Sequence, residues 1–183
     1  MIPIVTPMEM NELDKISPLG EAELIERAGF ALAREALRSL GGGYGRRVGL
    51  VVGKGNNGKD GLVAARLLRK RGVKCEVMDP SDATDLRNVD LVIDAAYGTG
   101  FRGAWSVPEQ PAAPVIAVDI PSGLYSNKAP ENSKHVLSVN YTLSFQSPKM
   151  AFFLPETAVF TEQWEVLDIG LDKEFLDALD GVK

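Results

Sequence analysis

Residues 51–61 read VVGKGNNGKDG, and the reading of this loop decides the fold. A short apolar run enters it, and a helical pattern, GKDGLVAARLLRKRG over 58–72, leaves it. Gly53, Gly55 and Gly58 fit the G-x-G-x-x-G dinucleotide fingerprint, while Gly53 and Gly58-Lys59 fit the front of a P-loop. Asp60 stands where a P-loop offers a hydroxyl to Mg²⁺, so that reading sets a carboxylate among phosphates and fails. As a dinucleotide loop the stretch does better, because Asp79 ends the next apolar run near where a ribose-binding acid lies. The plainer alternative has the glycines serving only a tight strand-to-helix turn. Neither pattern asks for Asn56-Asn57. An asparagine amide tolerates left-handed backbone, donates and accepts hydrogen bonds, and is a hard oxygen ligand for a weakly held cation; it is also a common turn residue.

Strand, glycine loop, helix and strand make a βαβ unit, which implies parallel pairing. Outward from it, VGLVVG (48–53), VKCEVMD (73–79), DLVIDAAYG (90–98) and PVIAVDI (114–120) read as buried strands. HVLSVNYTLSF (135–145) alternates as a strand does, WEVLDIG (164–170) reads as an edge strand, and DKEFLDALD (172–180) as a terminal helix. Upstream, Thr6-Pro7 caps a helix through MEMNELDKI to Pro18, and a second helix runs from Glu21 to Leu40 until Gly41-Gly42-Gly43 stops it. These two helices are expected to cover a sheet face. SNKAPENSK (126–134) reads as a surface loop, and the lone His135 beyond it as a surface residue.

The 183 residues fit a single domain spanning 1–183. With 45% hydrophobic and 25% charged residues the composition is that of a soluble globular protein, and no apolar run approaches a membrane span. A net charge of −5 argues against nucleic-acid or membrane-surface partners. The single Cys75 excludes an internal disulfide and fits a reducing cytoplasm.

Open α/β sheets bind ligands outside the C-terminal ends of their strands. Four such ends are expected to converge here: Gly53–Asp60, Asp94–Gly103, Asp119–Gly123 and Phe145–Lys149. In DAAYGTGFRG (94–103), Gly98, Thr99 and Gly100 can bring backbone amides to a phosphate and Arg102 can add a bidentate contact, or serve simply as an exposed loop arginine. In VDIPSG (118–123), Asp119 suits ribose binding, proton transfer or the capping of turn amides, and a proline-fixed turn presents Ser122.

Together ELIERAG (23–29), GKGNNGKDGLVAARLL (53–68), DAAYGTGFRG (94–103) and IAVDIPSGL (116–124) resemble the NAD(P)HX epimerase family, the YjeF N-terminal domain. The resemblance implies a three-layer α/β/α Rossmann-like fold, with a mostly parallel central sheet and the two N-terminal helices packed on it. It implies an isomerase that interconverts the R and S epimers of NADHX and NADPHX in nicotinamide nucleotide repair. A homodimer is implied, as is a functional partnership with an NAD(P)HX dehydratase. Carried over by motif, Asn56, Asn57, Gly58, Lys59, Asp60, Gly98, Thr99, Gly100, Phe101, Arg102, Gly103, Ala104 and Asp119 would contact the dinucleotide. Asn57, Asp94 and Ser122 would bind potassium (K+), one per subunit. Asp119 is the expected acid/base, and Lys149 an electrostatic anchor or proton donor. Two departures stand out: Lys59 replaces the second glycine of the family's usual NNGGDG, and Asn140 stands where an aspartate is common. If a carboxylate at 140 shared in proton transfer, an amide would not replace it. The alternative reading is therefore a catalytically impaired nucleotide-binding module of the same fold.

Overall fold

The structure is a computed structural model that describes residues 4–83, 86–103, 105–130 and 132–171. Thr6 starts the first helix, α1 (Pro7–Ile16), by reciprocal capping: Thr6 Oγ1 accepts the Glu9 N–H at 3.3 Å, and Glu9 Oε2 accepts the Thr6 N–H at 2.6 Å. Helix α2 (Gly20–Ser39) buries Leu24, Ala28, Leu32 and Ala36 along one stripe. It ends where Gly41 turns to φ 65° and the Gly42 N–H bonds back to the Leu37 carbonyl at 3.0 Å.

Six parallel strands follow: β1 (Arg47–Val52), β2 (Lys74–Met78), β3 (Leu91–Ala95), β4 (Val115–Val118), β5 (Tyr141–Phe145) and β6 (Trp164–Leu167), in the order β2-β1-β3-β4-β5-β6. Helix α3 (Asn56–Lys70) makes the crossover from β1 to β2. The period of two along β1 sorts its side chains: Val48, Leu50 and Val52 pack with α2 and α3, whereas Val51 faces Val92, Phe101, Trp105 and Leu137 on the other side. The result is the expected α/β/α Rossmann-like arrangement. Among the described residues its second outer layer consists of loops and short 3-10 turns rather than long helices.

Two sequence expectations change in detail. The alternating run 135–145 pairs only over Tyr141–Phe145, because Val136 and Leu137 drop into two separate apolar clusters beneath the loop and leave the sheet plane. β2 is not buried: it is an edge strand, and Lys74, Glu76 and Val77 are exposed. The expected terminal helix over 172–180 lies outside the described residues. β6 forms the other edge over Trp164–Leu167, inside the run read for it.

β1 lies between β2 and β3, so the chain leaves it toward one edge and returns on the other side. Such a reversal opens a crevice at the C-terminal strand ends, and here it opens beside β1 and β3.

Candidate active site

The glycine loop sits in that crevice, and two of its glycines are there for closeness rather than for turning. None of Gly53, Gly55 and Gly58 has a positive φ. A Cβ on Gly53 would run into the Ala96 carbonyl, and one on Gly58 into the Gly53 carbonyl, so β1, β3 and the start of α3 meet backbone to backbone. Gly55 has open space around it and lines the cleft with Asn56.

The cleft measures about 840 Å³, and four of the elements that wall it carry the residues singled out from the sequence. Asn56, Asn57 and Asp60 come from the start of α3, and Gly98, Thr99, Gly100, Phe101 and Arg102 from the loop after β3. Asp119 comes from the end of β4 and Phe145 from the end of β5. Of the other sequence-predicted contacts, Gly58 is buried beneath the loop and Gly103 lies beyond the cleft wall. Ala104 falls outside the described residues. Lys59 is not on the cleft wall itself but pairs at 2.5 Å with Glu21, which is, and its charge is felt at Asp60. Asp79 lies at the mouth of a different cavity, with Trp105 and Glu109.

Asp119 is held in an unusual backbone state. Immediately after β4 it adopts φ 66°, a left-handed conformation that aspartate tolerates better than most residues. Its N–H still continues the ladder, donating to the Leu143 carbonyl at 2.7 Å. Its Oδ1 accepts the Phe145 N–H at 3.1 Å and lies 2.7 Å from Lys149 Nζ. Lys149 is 1% exposed and also donates to the carbonyls of Ser147 and Phe145, at 2.8 and 3.3 Å. It therefore stands behind Asp119 and does not line the cleft, which makes it a positioning residue. The same device recurs one strand along: Gln146 follows β5 at φ 60°, and its Oε1 accepts the N–H groups of Ile169 and Leu171.

Beneath the loops, Asp94 ends β3 fully buried. Its Oδ2 accepts the Ser122 N–H at 2.8 Å and its Oδ1 the Ser122 hydroxyl at 2.6 Å. Burial pushes its carboxyl up to about 6, and the Ser122 and Ala96 hydrogen bonds hold it back from rising further. Ser122 Oγ in turn accepts the Tyr97 N–H at 2.8 Å. Asn57 reaches over from α3, donating from Nδ2 to the Val118 carbonyl at 2.6 Å and to that of Tyr97 at 3.5 Å. Asp94, Ser122 and Asn57 are thus drawn together around the backbone of Tyr97. A buried carboxylate balanced by amide and hydroxyl donors, among hard oxygens, is a donor set that fits a weakly held monovalent cation.

Several cleft residues were invisible to sequence reasoning, which assigned α1 and α2 only to covering the sheet. Met8, Met10, Asn11 and Asp14 of α1 overhang the cleft, and Leu24, Ile25 and Ala28 of α2 form its apolar side. Burial raises the Asp14 carboxyl, with Asp119 adding to the effect. Asp60 is pushed up to about 8, chiefly by burial and then by Asp119 and Asp14. Asn140 belongs elsewhere. Its Oδ1 accepts the Val115 N–H at 2.8 Å at the N-terminal ends of β4 and β5, the far edge of the sheet from the cleft. The amide there bears on strand pairing and not on the site, so the reason for suspecting lost turnover at position 140 falls away. His135, expected on the surface, is half-buried: its Nδ1 lies 3.0 Å from the Trp105 carbonyl, and its own carbonyl accepts the Trp105 Nε1–H at 2.8 Å.

A sequence model of the family described as YjeF-related protein N-terminus matches residues 21–85 and 78–151. An NAD(P)H-hydrate epimerase of Elusimicrobium minutum is 30% identical over 218 residues, covering 94% of this chain and 97% of that protein. The bifunctional NAD(P)H-hydrate repair enzyme Nnr of Moorella thermoacetica is 29% identical over 222 residues, covering 94% of this chain. The chain spans 41% of that larger relative's length. The crystal structure of the yeast protein ynu0 superposes with a TM-score of 0.68 at 19% identity, covering 98% of this chain and 95% of that one, a likeness of fold.

Proposed function

Since the chain belongs to the YjeF-related protein N-terminus family, we propose that it is an NAD(P)H-hydrate epimerase, interconverting the R and S epimers of NADHX and NADPHX. The observation that carries this reading is Asp119, turned by a left-handed backbone into the cleft with its charge fixed from behind by Lys149. Inversion requires the hydroxyl-bearing carbon to become planar and to be re-formed from the other face. A carboxylate fixed at the cleft wall favours the planar cation electrostatically and handles the proton of the returning water.

The rest of the site suits a dinucleotide. The first amides of α3, at Asn56 and Asn57, lie within the helix's first turn and lack intrahelical partners, which makes them donors for a pyrophosphate. Lys54 and Arg102 supply cations at the cleft wall, and Leu24, Ile25 and Phe101 an apolar face for rings. Asn57, Asp94 and Ser122 would hold potassium, one ion per subunit. When bound, such an ion ties the ends of β3 and β4 to α3 and offsets the Asp94 charge.

Exposed apolar side chains on α2 and α3, Phe30 at 59% and Leu62 at 50%, offer surface for a second copy and support a homodimer. The bifunctional relatives carry the name of a repair enzyme over a longer chain, which supports a functional partnership with an NAD(P)HX dehydratase. The single free Cys75 supports a cytoplasmic setting, and no described helix is long and apolar enough to cross a membrane. The deciding experiment follows separated R- and S-NADHX with the purified chain. Exchange faster than the spontaneous rate, lost in Asp119→Asn, is expected. Nucleotide binding without acceleration would leave a binding module instead.

A further inference from the structure

Two carboxyl groups face the cleft in opposite electrostatic settings, and the mechanism above uses only one of them. Asp119 is bonded by the Phe145 N–H and by Lys149. Asp60, near the start of α3, is 5% exposed and lines the same cleft, yet no described residue donates a hydrogen bond to it. Asp14 faces it from α1 and Asp119 from the end of β4, both adverse to a charge. The cation nearest in sequence, Lys59, is turned to Glu21 of α2. Lys149, behind Asp119, is already held by that carboxylate and by two carbonyls. Burial and two facing carboxylates outweigh the partial help of Lys59 and disfavour the Asp60 anion, whereas Asp119 has an ammonium and an amide bonded to its carboxylate. Paired environments of this kind assign acid and base roles.

We propose that Asp60 is the proton donor of this cleft, protonating the departing hydroxyl of the hydrated nicotinamide while Asp119 takes the proton of the water that returns. The inference rests on the epimerase reading. Water adds to the enamine double bond with its oxygen on the carbon beside the ring nitrogen. The reverse step breaks that C–O bond: the electron pair leaves with oxygen, the Asp60 proton completes a water molecule, and the nitrogen lone pair fills in to give a planar cation. Water then attacks the opposite face, its oxygen forms the new C–O bond, and its surplus proton passes to Asp119. One turnover leaves Asp60 ionised and Asp119 protonated, and exchange with solvent resets both. The reverse epimerisation uses the same pair with the roles exchanged. The position of Asp60 near pH 8, set by burial and the two facing carboxylates, keeps the donor loaded at neutral pH.

The test uses the full chain, R- and S-NADHX as substrates and NADH as binding probe, with fold checked by circular dichroism. Asp60→Asn keeps the shape and a hydrogen-bond donor but carries no transferable proton. It should bind NADH within about threefold of wild type while kcat falls on the order of 100-fold or more. Wild-type kcat should decline above about pH 8, and the residual rate of Asp60→Asn should lack that decline. An Asp60→Asn protein with near-normal kcat, or with weakened NADH binding and unchanged kcat, would overturn the proposal. So would a wild-type profile flat from about pH 6 to 10, a measurement that needs no variant to fold. A wild type that does not accelerate exchange would sink the epimerase reading and this one with it. An active wild type with an unimpaired Asp60→Asn sinks this one alone.

Discussion

Lys149 Nζ lies 2.7 Å from Asp119 Oδ1, and at side-chain exposures of 2% and 11% the pair is nearly out of water. Removing one partner strands a buried charge, so Lys149→Met should cost about 3–5 kcal/mol in urea unfolding. Neutralising both ends removes the stranded charge. The Asp119→Asn/Lys149→Met double variant should therefore recover more than half of that loss while remaining inactive. A double variant no more stable than Lys149→Met would mean that lysine packing, and not the charge, carries the effect.

Asn140→Asp should leave kcat within about twofold of wild type, because position 140 bonds Val115 at the far edge of the sheet and a carboxylate accepts that N–H equally well. A large gain in turnover would contradict this geometry. β5 separates Asn140 from the strand ends of the cleft, and its five residues rise about 3.3 Å each, putting roughly 16 Å between them.

That example marks where the sequence stops being legible. Short, continuous apolar runs bounded by Gly and Asp identify β1, β3 and β4, and the glycine loop implies a crossover, so the parallel sheet and its ligand edge are legible in the sequence. Spacing between Asn140 and Lys149 does not reveal that a whole strand stands between them. Likewise the apolar stripe of α2 shows which face is buried but not how far the helix overhangs the sheet edge. For that reason Asp14, Leu24 and Ile25 entered as sheet cover and emerged in the cleft wall. The ion pair that ties Lys59 to Glu21 at the cleft wall joins residues 38 apart in sequence and leaves no local signature.

Potassium should stabilise the protein through Asn57, Asp94 and Ser122. Replacing choline chloride with KCl at constant ionic strength should raise the unfolding free energy by about 1.4 kcal/mol at tenfold the dissociation constant, and the effect should saturate. Asp94→Asn removes the only carboxylate of the set and should abolish the cation dependence. An equal response to all monovalent salts would point to screening and not to a site.

Asp60 should also set a pH dependence of stability that is separate from catalysis. Its carboxyl lies at about 8 in the folded chain against an ordinary value of 3.8. Between these values the folded state keeps a proton that the unfolded state releases, so stability falls as pH rises from about 4 to about 8 and then levels off. Below that window both states are protonated and the group contributes nothing. Asp60→Asn removes the penalty of ionising a buried acid, so it should match wild type near pH 4 and exceed it near pH 8.5. The gain should be on the order of a few kcal/mol, shared with Asp14 and Asp119, which ease when the charge at 60 is gone. Urea unfolding at the two pH values measures this directly. A difference between Asp60→Asn and wild type that does not change with pH would show that the Asp60 carboxyl is not held protonated in the fold.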